Sequence, residues 1–355
     1  MHGYNRGTRW LHRAVSTISR TSRPPTVSPA GSYHGRFHLA TRLAWMPEEL
    51  TDILRQREPL GSHQLDPLRG QKGGSELQTL RDHFSLGKKQ LAAPAWILGP
   101  DVIEDEGFTL EVAKVIANIA AQKNLPVIFK ASYEKANRSS ASSFRGPGID
   151  AGLEVLARVG QETGLPLTTD VHDEEQARRA AEVGDVIQIP AFLCRQNSLL
   201  EAAAATGKVI NLQKGQFLSP WDVAARVQLL QEAGAADVWV TERGSSFGYH
   251  RLVNDFRAIP LTQQTGAAVI FDATHSVQTP GGPEGVSGGE RHFIPVLARA
   301  AAAAGADGLF LEVHPDPNQA LCDCPNALPL DRLEDFIEHL LPLLNCAREI
   351  PDLDL

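Results

Sequence analysis

The chain has 355 residues, 42% hydrophobic and 21% charged, and its 34 Lys and Arg against 42 Asp and Glu leave a formal net charge of −8. That balance fits a soluble globular enzyme and argues against a chain that coats nucleic acid, while leaving room for a local basic pocket. No apolar run reaches the roughly 18 residues of a membrane span, and 4 Cys are too few for a disulfide scaffold, with Cys322 and Cys324 forming only an isolated C-x-C pair.

Residues 1–47 hold seven Arg and no Lys, Asp or Glu, and are rich in Ser, Thr, Gly and Pro; the first acid is Glu48. This is the composition of a transit peptide, and equally of a disordered extension. Residues 48–90 are polar, broken by Gly70, Gly73 and Gly74, and show no sustained period of 3.6 or 2. The expected organisation is a disordered extension over 1–90, a catalytic domain over 91–346 and a short tail over 347–355.

After residue 90 short apolar runs alternate with amphipathic stretches. The runs are AWILGP (95–100), PVIFKAS (126–132), PLTTDV (166–171), VIQIPA (186–191), VINLQKG (209–215), DVWVTERG (237–244), AVIFDATHS (268–276) and GLFLEVHP (308–315). Segments such as EGFTLEVAKVIANIAAQKN, SPWDVAARVQLLQEAG and HFIPVLARAAAAAG lie between them, and many end in the Gly that commonly follows a helix. Eight strand-like runs, with a helix LDRLEDFIEHLLPLL after the eighth, predict an α/β fold of the (β/α)8 TIM barrel type. The alternative, a doubly wound open sheet, is weakened by the count of eight and by the absence of G-x-G-x-x-G after any strand.

Chemistry in such barrels gathers at the C-terminal strand ends, and polar residues recur there. They are Asp101, Lys130, Asp170 with His172, Gln188, Lys214, Glu242 with Arg243, Asp272 with His275, and Glu312 with His314. Burying Lys130, Lys214 and Arg243 without anions costs several kcal/mol, so a pocket for anionic, phosphorylated ligands is expected. The segment KASYEKANRSS adds Lys135, Asn137, Arg138, Ser139 and Ser140. His275, Glu312 and Asp323, with Asp101 as a fourth member, read as either a divalent-cation site or a hydrogen-bonded acid/His cluster.

At these residues the stretch from about 95 to 340 resembles the KDO-8-phosphate synthases (2-dehydro-3-deoxyphosphooctonate aldolases) of the DAHP/KDO-8-phosphate synthase superfamily. The motifs that carry the resemblance are FKASYEKANRSS, FRGPG, TDVHD, IQIPAFLCRQ, RGSSFGY, FDATHSVQTPGG and LEVHPDP. DAHP synthases share the barrel but typically carry K-P-R-T after the second strand, whereas this chain has KANRSS.

The resemblance implies an aldol-type condensation of phosphoenolpyruvate with D-arabinose 5-phosphate and water, giving KDO-8-phosphate and inorganic phosphate for lipopolysaccharide synthesis. It assigns Lys130, Lys135, Lys214 and Arg243 to the phosphoenolpyruvate phosphate and carboxylate. Gln188, Pro190, Ala191 and Phe192 would line that pocket, and Asn137, Arg138 and Ser139 would take the pentose phosphate. Arg195 would reach its phosphate from a neighbouring subunit, which implies a homotetramer. His275 would lie near the phosphoenolpyruvate carbons and Asp170 near the reacting aldehyde and water. A cytoplasmic location and no organic cofactor are implied, with organellar import left open by the N-terminus. The competing readings are a DAHP-type synthase using erythrose 4-phosphate and a catalytically inactive phosphosugar-binding barrel.

One position departs from the family pattern. Metal-dependent members carry Cys after the first strand and metal-independent members Asn, but here G-P-D-V-I-E places Asp101 there. Asp101, His275, Glu312 and Asp323 would form an oxygen-rich site favouring Mn2+, Mg2+ or Fe2+ over Zn2+. Without an ion, Asp101 needs a proton or a lysine to balance it, Lys130 being the first candidate.

Overall fold

The computed structural model describes residues 83–86, 89–136, 144–248, 250–280, 288–322 and 324–350. Eight parallel strands alternate with eight helices in that region. The pairs are β1 (Ala95–Gly99) and α1 (Glu106–Lys123), β2 (Val127–Lys130) and α2 (Ile149–Thr163), β3 (Leu167–Asp170) and α3 (Glu174–Val183), and β4 (Val186–Ile189) and α4 (Asn197–Ala204). They continue with β5 (Val209–Gln213) and α5 (Ala224–Glu232), β6 (Asp237–Glu242) and α6 (Ala258–Gln263), β7 (Ala268–Asp272) and α7 (Ile294–Ala303), and β8 (Gly308–His314) and α8 (Leu333–Glu349). Each strand pairs with the next, and β8 pairs with both β7 and β1, which closes the barrel. All eight expected strands are present.

Local sequence explains the boundaries. Asp105 caps α1 by accepting the Phe108 N–H at 2.8 Å, and Asn124 ends it in the left-handed region at φ 51°. Each such cap contributes about 1 kcal/mol. Asp173 caps α3 in the same way through Gln176 N–H. At the top of β1, a Cβ on Gly99 would stand 1.8 Å from the Lys130 carbonyl oxygen, so only glycine allows β1 and β2 to approach there.

Alternation along each strand divides the side chains. Outward residues such as Ile187 and Ile189 of β4, Ile210 and Leu212 of β5, and Leu309, Leu311 and Val313 of β8 join the helices in the larger core. Inward residues Ile97, Ile128, Val186, Val209, Trp239, Ile270 and Phe310 form a second core inside the lumen. One step of two residues towards the C-terminal end, the inward positions become Lys130, Gln188, Asn211, Thr241, Asp272 and Glu312, all buried. Six of the eight strands therefore change from apolar to polar at the same level, while β1 ends in Gly99 and β3 carries the polar Thr168 below Asp170.

The floor of the lumen is closed by a hairpin of His83–Leu86 and Lys89–Ala92, which pair antiparallel. Phe84 and Leu86 are buried within the lumen core, and the Phe84 ring meets Trp239 edge-on at 5.0 Å. The domain boundary expected at residue 90 falls inside the second strand of this hairpin. Burial of Phe84 contributes about 1.5–3 kcal/mol, which ties the segment to the barrel. At the other end α8 runs to Glu349 with Pro342 inside it, past the boundary expected at 346.

Candidate active site

The carboxylate and ammonium groups at the upper end of the lumen form one connected cluster. Asp101 follows β1, and its carboxylate is ion-paired with Lys135. Lys130, the last residue of β2, donates to the Asp101 carbonyl at 2.9 Å and to Glu312 Oε1 at 3.1 Å, and lies 3.6 Å from Asp101 Oδ1. Lys135 also lies 3.7 Å from Asp170 Oδ2. At 1% exposure Lys130 is a buried cation, tolerated because two carboxylates surround it. The direct partner of Asp101 is thus Lys135 rather than Lys130.

Asp170 is held from both sides. Ser132 donates to Oδ2 at 2.7 Å and Gln188 to Oδ1 at 2.6 Å. Burial alone would raise its pKa, but the charges of Lys135 and Lys130 and the Ser132 hydrogen bond hold it well below the usual carboxylate range. Asp101 behaves alike: burial opposes its charge, and Lys135 and then Lys130 keep it ionised. Glu312 goes the other way, pushed up to about 7 by burial and by the charge of Asp101.

On β7, Asp272 and His275 act as a unit. Asp272 Oδ1 accepts the N–H groups of Thr274 and His275, and Oδ2 contacts His275 Nδ1 at 2.6 Å. That pairing places the proton on Nδ1 and turns Nε2 towards Glu312 Oε1, 3.6 Å away. Burial disfavours the imidazolium, but the charges of Asp272 and Glu312 outweigh it and raise the His275 pKa.

One ligand atom each from Asp101, His275 and Glu312 lies within 4.8 Å of the others. Asp101 Oδ2 and Glu312 Oε2 are buried and accept no hydrogen bond. An imidazole whose Nδ1 is tied to a carboxylate is the usual arrangement of a ligating histidine. These residues fit a divalent cation. Asp323, expected as a fourth ligand, and Asn137, Arg138 and Ser139, expected at the pentose phosphate, lie outside the described residues.

The other expected residues occupy separate places. The buried Lys214 ammonium faces the carbonyls of Gly215, Leu218 and Gly244 and the Ser245 hydroxyl at 3.3–3.4 Å, with Glu242 Oε2 at 3.5 Å. It ties the loops after β5 and β6 together, and these contacts do not join it to the Asp101 cluster. Alternation instead turns Gln213 inward, where its Oε1 lies 3.4 Å from Arg243; Arg243 also donates to Gln278 at 2.7 Å. After β4, Pro190 precedes a short turn, Ala191–Leu193, in which Ala191 is buried and Phe192 is 55% exposed. Arg195 follows, exposed.

The sequence profile of the DAHP synthetase I family matches residues 86–343. The chain belongs to that family. A 2-dehydro-3-deoxyphosphooctonate aldolase of Nitratidesulfovibrio vulgaris is 56% identical over 255 residues, covering 72% of this chain and 93% of the relative. Proteins of the same name from Desulfosudis oleivorans (56% over 254 residues, 71% and 91% covered) and a Synechococcus species (51% over 269 residues, 76% and 94% covered) are similar to it. The lower limit of the profile falls at Leu86, within the first strand of the floor hairpin.

Sequence reasoning passed over Ser132, Asn211 and Thr241, and gave Asp272 no task beside His275. The spacing D-x-x-H at the end of a strand was the available signal for the last of these, because it returns the imidazole onto the carboxylate.

Proposed function

We propose that this chain condenses phosphoenolpyruvate with D-arabinose 5-phosphate and water, forming 3-deoxy-D-manno-octulosonate 8-phosphate and releasing phosphate, a step of lipopolysaccharide synthesis. The observation that carries the reading is the cluster of Lys130, Lys135, Asp101, Asp170, His275 and Glu312 at the mouth of a family barrel whose relatives carry the aldolase name. Joining two phosphorylated substrates requires fixed cations, because their mutual repulsion opposes approach. Lys135 and Arg243 present such charge to the phosphoenolpyruvate phosphate and carboxylate, with Lys130 behind them. Attack of C3 of phosphoenolpyruvate on the aldehyde builds an alkoxide and leaves positive character at C2. Groups already oriented towards those charges need no reorganisation during the step. Asp170, with both oxygens engaged by donors, serves as a fixed anion that orients Lys135 rather than as a base.

Asp101, His275 and Glu312, with Asp323, would hold a divalent ion, which supplies Lewis-acid charge at the reacting oxygens. Their oxygen-rich set favours Mn2+, Mg2+ or Fe2+ over Zn2+. The homotetramer follows from the family resemblance, and Phe192, Phe217, Trp221 and Phe247, each more than half exposed on loops after β4, β5 and β6, suit contact with further copies of the chain. Arg195 beside Phe192 then serves a neighbouring subunit.

Phosphate release is measured with phosphoenolpyruvate and either arabinose 5-phosphate or erythrose 4-phosphate, before and after exhaustive chelation. Turnover with arabinose 5-phosphate alone is expected, lost on chelation and restored better by Mn2+ than by Zn2+. Preference for erythrose 4-phosphate selects the DAHP-type reaction, and no turnover with either selects a binding barrel. Full activity after chelation, with no metal by elemental analysis, removes the ion.

A further inference from the structure

Four buried side chains on four consecutive strands form a single hydrogen-bonded row. Thr241 Oγ1 donates to Asn211 Oδ1 at 2.7 Å. Asn211 Nδ2 donates to Gln188 Oε1 at 2.9 Å, and Gln188 Nε2 donates to Asp170 Oδ1 at 2.6 Å. Strand register sets Asp170, Gln188 and Asn211 directly across from one another. Thr241 stands two residues beyond the partner of Asn211 on β6.

The row has a direction. Ionised Asp170 offers only acceptors, so Gln188 must present its amide N–H there. Its Oε1 is thereby turned to Asn211, which must donate in turn and leaves its own Oδ1 for a donor. The Thr241 hydroxyl is that donor. Reversing either amide sets two oxygens against each other in a buried site, where an unmet polar group is costly. Asp170 in turn faces Lys135 at 3.7 Å, and Lys135 is paired with Asp101.

We propose that Asn211 and Thr241 are positioning residues, which act through Gln188 to hold the Asp170 carboxylate, and with it Lys135, in the orientation that turnover requires. The use of the row in catalysis rests on the reaction proposed above; the row itself does not.

The test is a double-mutant cycle between Thr241→Val and Asp170→Ala, which removes the acceptor of Gln188, read both as turnover and as thermal midpoint. Thr241 and Asp170 share no contact, so independent effects would add. In the otherwise native protein Thr241→Val is expected to lower kcat roughly three- to tenfold, while Thr241→Ser stays within about twofold of native because it keeps the hydroxyl. In the Asp170→Ala background, where the row has lost its terminal acceptor, Thr241→Val is expected to have no further effect on kcat and a smaller effect on the midpoint. Should Thr241→Val not fold by circular dichroism, Thr241→Ala enters the same cycle. Additive effects in both readouts overturn the row as a coupled unit. Coupling in the midpoint with additive turnover overturns its part in catalysis. A native chain with no turnover overturns the proposed reaction, and the thermal cycle still decides whether the row is coupled.

Discussion

The two levels of the barrel lumen share six strands and differ by two residues along each of those six. The lower level, Ile97, Ile128, Val186, Val209, Trp239, Ile270 and Phe310 over the floor residues Phe84 and Leu86, is apolar apart from Thr168 of β3. The upper level carries Lys130, Asp170, Gln188, Asn211, Thr241, Asp272 and Glu312, equally buried. Apolar burial contributes about 25 cal/mol per Å2, whereas buried charges contribute little net stability even when paired. The lower level therefore supplies stability and the upper level chemistry, and substitutions in the lower level should leave turnover intact while those in the upper level should not.

The largest expected effect is on the upper level. Lys135→Ala should lower turnover by roughly a hundred- to a thousandfold and lower the thermal midpoint as well, because it leaves the buried Asp101 carboxylate without its direct partner, a loss of about 3–5 kcal/mol. Near-native kinetics would take Lys135 out of the site. Next, Phe84→Ala should cost about 3–5 kcal/mol, a drop of roughly 10 °C in midpoint for a domain of this size, with kcat kept within about twofold. A midpoint equal to native would show that the hairpin is an ornament on the barrel and not its floor.

The smallest effect sharpens the contrast through pH. Glu312 is raised in the folded protein from 4.5 to about 7, so folding favours its protonated form. The stability from that preference is complete below the unfolded value and is lost as pH rises through about 7. Metal-depleted native protein should lose midpoint over that window, and Glu312→Gln should flatten the loss. Parallel pH profiles for the two proteins would show that Glu312 does not titrate there.

The strands were legible because short apolar runs alternate with helix-like segments, many of which end in Gly. Asp101, Lys130, Asp170, His275 and Glu312 were legible because barrel chemistry is confined to strand ends, and the structure brings them together. The floor hairpin was not, since HFSL and KQLA are four residues each, too short for periodicity to register. Gln213 was passed over for a related reason: the charge of Lys214 drew the eye, while alternation gives the inward place to Gln213. Asn211 and Thr241 look like ordinary polar strand residues. Only the offset between β5 and β6, which no local pattern encodes, sets the Thr241 hydroxyl against the Asn211 amide.

The edge-on contact between Phe84 and Trp239 imposes an order on synthesis. Phe84 leaves the ribosome about 150 residues before its partner, an interval of roughly 10–30 s at ordinary rates of translation. Throughout it, the ring and Leu86 have no lumen to enter, and the nascent chain carries an adhesive patch. The flanking Arg81, Lys88 and Lys89 place charge on both sides of that patch, the usual guard against association between nascent chains. The floor of this barrel is therefore made first and fitted late.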